Sequence, residues 1–158
     1  MKKLMMFFLG FFMMGQMVKA QEVVNETFKE WKIVTVVESI IPMGLGRSRM
    51  IENMTEVETE QFRTSRTNGK RSAQSSVRRK DLKVDHFDEA KLLNFFSATG
   101  INFQNIASND AMIASRVMEL EAEGYKLVFV TSAVESYAGV DDDSGLFITR
   151  MFFCREYF

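Results

Sequence analysis

The chain has 158 residues, with 20 Lys and Arg against 21 Asp and Glu, one histidine and one cysteine. That length suits one domain able to bury an adequate core without staples. A lone cysteine excludes an internal disulfide, and a lone histidine argues against Ser-His-Asp, Cys-His and multi-histidine zinc chemistry.

The first twenty residues read as a cleavable secretory signal peptide. Met1-Lys2-Lys3 is a positive n-region, residues 4–14 are an apolar h-region, and Val18 and Ala20 occupy the −3 and −1 positions of a signal peptidase site. Cleavage is expected before Gln21. The apolar stretch 4–18 already contains Gln16 and falls short of the roughly 20 apolar residues of a spanning helix. No transmembrane span is therefore expected after cleavage, and the localisation expected is periplasmic or secreted. Removing Lys2, Lys3 and Lys19 from the 20 basic residues leaves 17 against 21 acidic, a net charge of −4. The expected organisation is a leader, 1–20, followed by a single domain, 21–158.

Residues 31–41 are rich in β-branched side chains and read as a strand. Pro42 with Gly44 and Gly46 predicts a turn, with a second strand returning over 47–51. Residues 52–84 are the least core-like part. Glu52, Glu56, Glu58 and Glu60 come first, and Arg63, Arg66, Lys70, Arg71, Arg78, Arg79, Lys80 and Lys83 follow. Asn68-Gly69 favours a type I′ turn. As a two-residue loop it places Thr67 opposite Lys70, Glu58 opposite Arg79, and Glu60 near Arg78 and Arg79. A long polar loop is the alternative reading.

Asp85 is a candidate helix cap, with Leu92, Leu93, Phe95 and Phe96 on an apolar face and Thr99-Gly100 as the stop. A connector, 101–106, leads to a second helix capped by Ser108 or Asn109. Ile113, Val117 and Leu120 share one face of it, and Gly124 suits the left-handed position after it. Residues 125–131 and 146–153 read as two strands joined by a polar loop into an antiparallel hairpin. Cys154 lies among Met151, Phe152 and Phe153, which predicts burial. The order of elements predicts an α+β fold: an antiparallel sheet of about four strands, two helices on one face, and a charged hairpin or loop. The expected core is Trp31, Ile33, Val36, Ile113, Val117, Leu120, Leu127, Phe129, Ile148 and Phe152.

Residues 117–128, Val-Met-Glu-Leu-Glu-Ala-Glu-Gly-Tyr-Lys-Leu-Val, resemble an element of small uncharacterised bacterial domains. There an amphipathic helix ends L-x-x-E-G-[WY]-x-L and runs into a strand, with an earlier strand of the W-K-V-V kind, here Trp31-Lys32-Ile33-Val34. The whole chain also looks like exported hypothetical proteins of Gram-negative bacteria carrying N-F-Q-N-I-A-S-N-D, here residues 102–110. The resemblance implies an antiparallel sheet with helices on one face, and no activity.

Several local patterns have plain readings. Gly44-Leu45-Gly46-Arg47-Ser48 lacks the Gly-Lys-Ser/Thr ending of a phosphate loop. Asp141-Asp142-Asp143-Ser144-Gly145 lacks the ligand spacing of an EF-hand. Asn25-Glu26-Thr27 and Asn53-Met54-Thr55 fit the glycosylation pattern, which the bacterial leader makes idle. No catalytic residue, metal site or cofactor is expected. The basic cluster Arg63, Arg66, Lys70 and Arg71 is the one candidate site, for an anionic component of the cell envelope rather than nucleic acid, because the leader points outward. The function expected is a small non-enzymatic binding or assembly module of the cell envelope. The alternative is a hydrolase built on a pair of carboxylates.

Overall fold

Apolar β-branched residues at successive positions favour extended backbone, and the longest such run forms the strand at the centre of the sheet. The computed structural model describes residues 28–41, 47–135 and 145–157. The leader and its cleavage site, the glycosylation pattern at Asn25, the expected turn at 42–46, most of the polar loop with Asp141-Asp142-Asp143-Ser144, and Phe158 lie outside those residues. In chain order the elements are β1 (Phe28–Ser39), β2 (Arg49–Asn53), the two-residue strands β3 (Arg66–Thr67) and β4 (Arg71–Ser72), β5 (Phe87–Lys91), the short strands β6 (Phe96–Ser97) and β7 (Gly100–Ile101), helix α1 (Phe103–Ala122), β8 (Lys126–Glu135) and β9 (Leu146–Tyr157).

The main sheet has five antiparallel strands in the order β5-β2-β1-β9-β8. β1 runs its full length against β9, from Phe28 opposite Tyr157 to Ser39 opposite Leu146. Two small sheets, β3-β4 and β6-β7, stand apart from it. Among the described residues the architecture is one α-helix on a five-stranded sheet, which corrects the expectation of two helices on about four strands.

The correction lies in residues 85–101. In place of a helix capped at Asp85, Phe87–Lys91 pairs with β2 as β5, and the stop at Thr99-Gly100 is the turn between β6 and β7. Leu92 and Asn94 are buried while Lys91 and Leu93 are exposed, so burial alternates with a period of two. Apolar Leu93 on the outer side and polar Asn94 on the inner side disguise that period. Asn94 is held inside by donating to the carbonyls of Ile41 (3.0 Å) and Phe96 (3.2 Å).

Helix α1 begins earlier than Ser108 or Asn109. Asn102 caps it, its side chain accepting from the N–H of Asn105 at 3.2 Å. Its end follows the sequence reading. Gly124 has φ 90°, its N–H bonds to the Glu121 carbonyl (3.0 Å), and the Tyr125 N–H bonds to the Leu120 carbonyl (2.9 Å). This is a Schellman closure, with buried Leu120 and Tyr125 as its apolar pair. The chain then enters β8 at once.

The core lies between α1 and one face of the sheet. It comprises Val34, Val36, Met50, Leu92, Leu120, Tyr125, Met151 and Phe153, with Ile113 and Val117 packed against it. The helix covers that face alone. Val36 and Leu120 are buried as expected, but Trp31, Ile33, Leu127 and Phe129 are exposed. Trp31 and Ile33 stand on the opposite face of β1 from Val34 and Val36. Ile148 and Phe152 are half-buried on that same open face. Cys154 is buried beside them.

Candidate interaction surface

The basic cluster forms a hairpin, but a smaller one than expected. Asn68 and Gly69 have φ 56° and 67°, the positive values an Asn-Gly turn supplies. Thr67 pairs with Arg71 and Arg66 with Ser72, so the loop has three residues and the register sits one step from the expected Thr67–Lys70 pairing. The ladder ends after those two pairs, and 3-10 turns at Thr59–Phe62, Gln74–Ser76 and Arg79–Leu82 replace the stem. The expected cross-ribbon pairs are replaced by local ones: Glu60 with Arg63, and Arg78 with Asp81 at 2.8 Å. Arg63 thus has its own carboxylate partner. Arg66, Lys70 and Arg71 are exposed with no ion pair among the described residues, and Arg66 and Arg71 occupy adjacent rungs, which point to opposite faces of the ribbon.

A second cluster of charge lies where α1 crosses β2. Glu52, only 6% exposed, accepts from Arg116 at 2.7 and 3.1 Å and lies 3.4 Å from the Lys32 ammonium. Arg116 also reaches Glu119 (2.9 Å), and Lys32 reaches Glu123 (3.3 Å). Desolvation works against the Arg116 charge, but its carboxylate partners outweigh that and hold its pKa above the usual value. An open cleft of about 320 Å³ beside the cluster is lined by Glu52, Asp88, Glu89, Arg116 and Glu119. Both Glu52 oxygens face cations, which commits Glu52 to the ion-pair network. Further along, Tyr125 donates to Glu30, which also accepts from Arg155 at 2.6 Å. Burial, then this carboxylate, push the phenol above its ordinary value; the same two donors hold Glu30 below the usual carboxylate range. These networks fasten α1 and the end of β9 to β1.

Among the described residues the carboxyl with raised proton affinity is Glu38. Burial raises it most, the charge of Asp110 adds to that, and a hydrogen bond from Asn109 opposes it. Glu38 sits under the helix and does not line the cleft at Glu52. Among the described residues no group of three or more His, Cys, Asp or Glu is placed to hold a metal, and no helix is long and apolar enough to cross a membrane.

The two edges of the main sheet differ sharply. β5 is five residues long with Asp88, Glu89 and Lys91, the short charged form that blunts an edge. β8 is ten residues long, Lys-Leu-Val-Phe-Val-Thr-Ser-Ala-Val-Glu, and among the described residues pairs only with β9. All ten residues are exposed, with Val128, Phe129 and Val134 each more than half so. Its one defensive feature is a bulge between Leu127 and Phe129.

No family model, curated protein or solved structure matches this chain.

The exposed edge continues into an exposed face. Away from the helix, the Phe129 ring lies beside Phe152, tilted 48° with centroids 5.8 Å apart, and Trp31 and Ile33 follow across the sheet. A pocket of about 370 Å³ at the far side of this face is lined by Ile33, Ile51, Val84 and Phe87 among others. Sequence reasoning marked Leu127, Phe129, Trp31 and Ile33 as core because their side chains are apolar. The signal for a surface was present in counts alone: one helix cannot cover both faces of a sheet whose strands are apolar on both.

Proposed function

We propose that this protein is a non-enzymatic binding and assembly module of the cell envelope, and that it works by accepting a strand from a protein partner along β8. The envelope location rests on the leader at residues 1–20. The observation that carries the binding reading is the ten-residue edge strand, exposed throughout, apolar over Leu127, Val128, Phe129 and Val130, and without a partner on one side among the described residues. Strand addition supplies backbone hydrogen bonds for affinity, and alternate side chains supply specificity. Natural sheets blunt such edges unless they are used, and β5 shows the blunted form in the same sheet. The test is Val130→Lys, which puts a charge in mid-edge where Val130 is 46% exposed. The variant should keep its unfolding midpoint and lose retention on isolated cell envelopes. Undiminished retention with the fold intact refutes strand addition.

A second reading is favoured by Arg66, Lys70 and Arg71, which are exposed around the Asn68-Gly69 turn without carboxylate partners among the described residues. With Arg63 nearby in sequence they would suit an anionic envelope component. Exposed charges are screened beyond about 8 Å at physiological salt, so this contact should weaken steeply as salt rises. Replacing Arg63, Arg66, Lys70 and Arg71 together with Ser should abolish the salt-sensitive part of retention. Retention with the same salt dependence leaves the tip as an ordinary solvated turn.

A further inference from the structure

The side chains of β8 complement each other about Thr131. Counted along β9, Thr131 lies opposite Arg150, Lys126 opposite Cys154 and Glu135 opposite Leu146. The bulge absorbs Val128, so Lys126 and Glu135 stand equally far from Thr131 on the same face of the sheet. The intermediate positions match in the same way: Phe129 with Ala133, Val130 with Ser132, and Leu127 with Val134, each pair on one face and equidistant from Thr131. A two-fold axis perpendicular to the sheet and midway between the Thr131 residues of two copies would set each residue of β8 against its mate in the second copy. Large would meet small, lysine would meet glutamate at both ends, and threonine would meet threonine at the centre. Threonine pairs and opposite-charge pairs are among the stabilising cross-strand pairs.

We infer that the strand partner of β8 is β8 of a second copy of this chain, paired antiparallel about Thr131 into one continuous sheet. This rests on the strand-addition reading and names its partner. The union is isologous, so it closes at two copies and leaves no free β8 edge. It also lays the two open faces side by side, with Phe129 of each copy against Ala133 of the other. The helices lie together on the opposite side. The blunted β5 edges remain outermost, where further strand addition is disfavoured.

The arrangement makes a test that ordinary hydrophobic association does not pass. In Lys126→Glu, two glutamates face each other at both ends of the paired strands. In Glu135→Lys, two lysines do. Each variant alone should dimerise about tenfold more weakly than the parent, as two opposite-charge pairs become like-charge pairs. An equimolar mixture of the two restores every pair, and so does the double variant Lys126→Glu/Glu135→Lys. Sedimentation equilibrium of the purified protein reads all four. As an independent check, Thr131→Cys in a Cys154→Ser background should close a disulfide between copies, because facing Cα atoms in an antiparallel pair are about 4.5–5.5 Å apart.

Recovery of dimer in the mixture and the double variant, with cross-linking at position 131, is the expected result. A dimer indifferent to the charge exchanges, or not cross-linked at 131, overturns the proposal. A protein monomeric at every concentration also overturns it. In that case the Val130→Lys retention experiment decides separately whether β8 accepts a strand from a different protein or none.

Discussion

Asn109→Asp changes one buried atom and reverses the polarity of a buried contact. Asn109 is 1% exposed in the middle of α1. Its amide nitrogen donates to Glu38 Oε1 and to the Leu93 carbonyl, both at 2.8 Å, and its oxygen accepts from the Leu93 N–H at 2.8 Å. The side chain therefore ties the helix both to β1 and to the chain leaving β5. An aspartate keeps the acceptor for Leu93 N–H. Its second oxygen, however, faces the Glu38 carboxylate and a carbonyl, and no donor. Leaving a buried charge uncompensated costs about 3–5 kcal/mol, a large share of the roughly 5–15 kcal/mol by which a domain is stable. The loss must depend on pH. Burial and Glu38 raise the folded pKa of the new carboxyl above its unfolded value of about 3.9, so its contribution is favourable below that value and is lost as pH rises through the folded value. Urea unfolding followed by circular dichroism should show a strongly lowered midpoint near neutrality and a smaller gap in acid. Adding Glu38→Gln supplies an amide donor and should recover part of the loss, giving a coupling energy in the double-mutant cycle. Parental stability of Asn109→Asp at neutral pH would refute the assignment of Asn109 as donor to Glu38.

Further outcomes follow from the same packing. Leu120 is fully buried in the core and closes the Schellman turn with Tyr125, so Leu120→Ala should cost about 2–5 kcal/mol in urea unfolding. Glu38 has a folded pKa raised from 4.5, chiefly by burial. Its stabilising contribution is complete below the unfolded value and is lost as pH rises through the folded one. Glu38→Gln should therefore flatten the fall in unfolding midpoint as pH rises above the ordinary carboxylate range. N-terminal sequencing of protein recovered from the envelope fraction should read from Gln21; a retained Met1 contradicts the leader reading.

Legibility in the sequence followed how locally each feature is determined. The end of α1 at Gly124, the positive φ at Asn68-Gly69 and the antiparallel pairing of β8 with β9 each depend on a few neighbouring residues. All three could be read directly. The strand at Phe87–Lys91 could not, because its stability comes from β2, which lies far earlier in the chain. Just past its end, inward Asn94 and outward Leu93 break the apolar pattern that would have marked the extended segment. The hairpin stem failed for a related reason. A cross-strand charge pair such as Glu58 with Arg79 contributes only about 0.2–1 kcal/mol, and pairs three residues apart satisfy Glu60 and Arg78 without closing a long ribbon. The interaction surface was hidden most thoroughly. Trp31, Ile33 and Phe129 look like core in any reading by side-chain type. Only the placement of a single helix on one face, and of β8 at an edge, leaves them exposed.

The central claim is that β8 is an edge kept open for pairing. Amide hydrogen exchange over residues 127–135, compared with the blunted edge at 87–91, measures it most directly. The purified protein is followed from dilute to concentrated solution and then with envelope extract added. The outward-facing amides of β8 should exchange fast when dilute and become protected on pairing, while those of β5 stay unchanged. Exchange across 127–135 that stays fast at every concentration and with extract present would contradict the account.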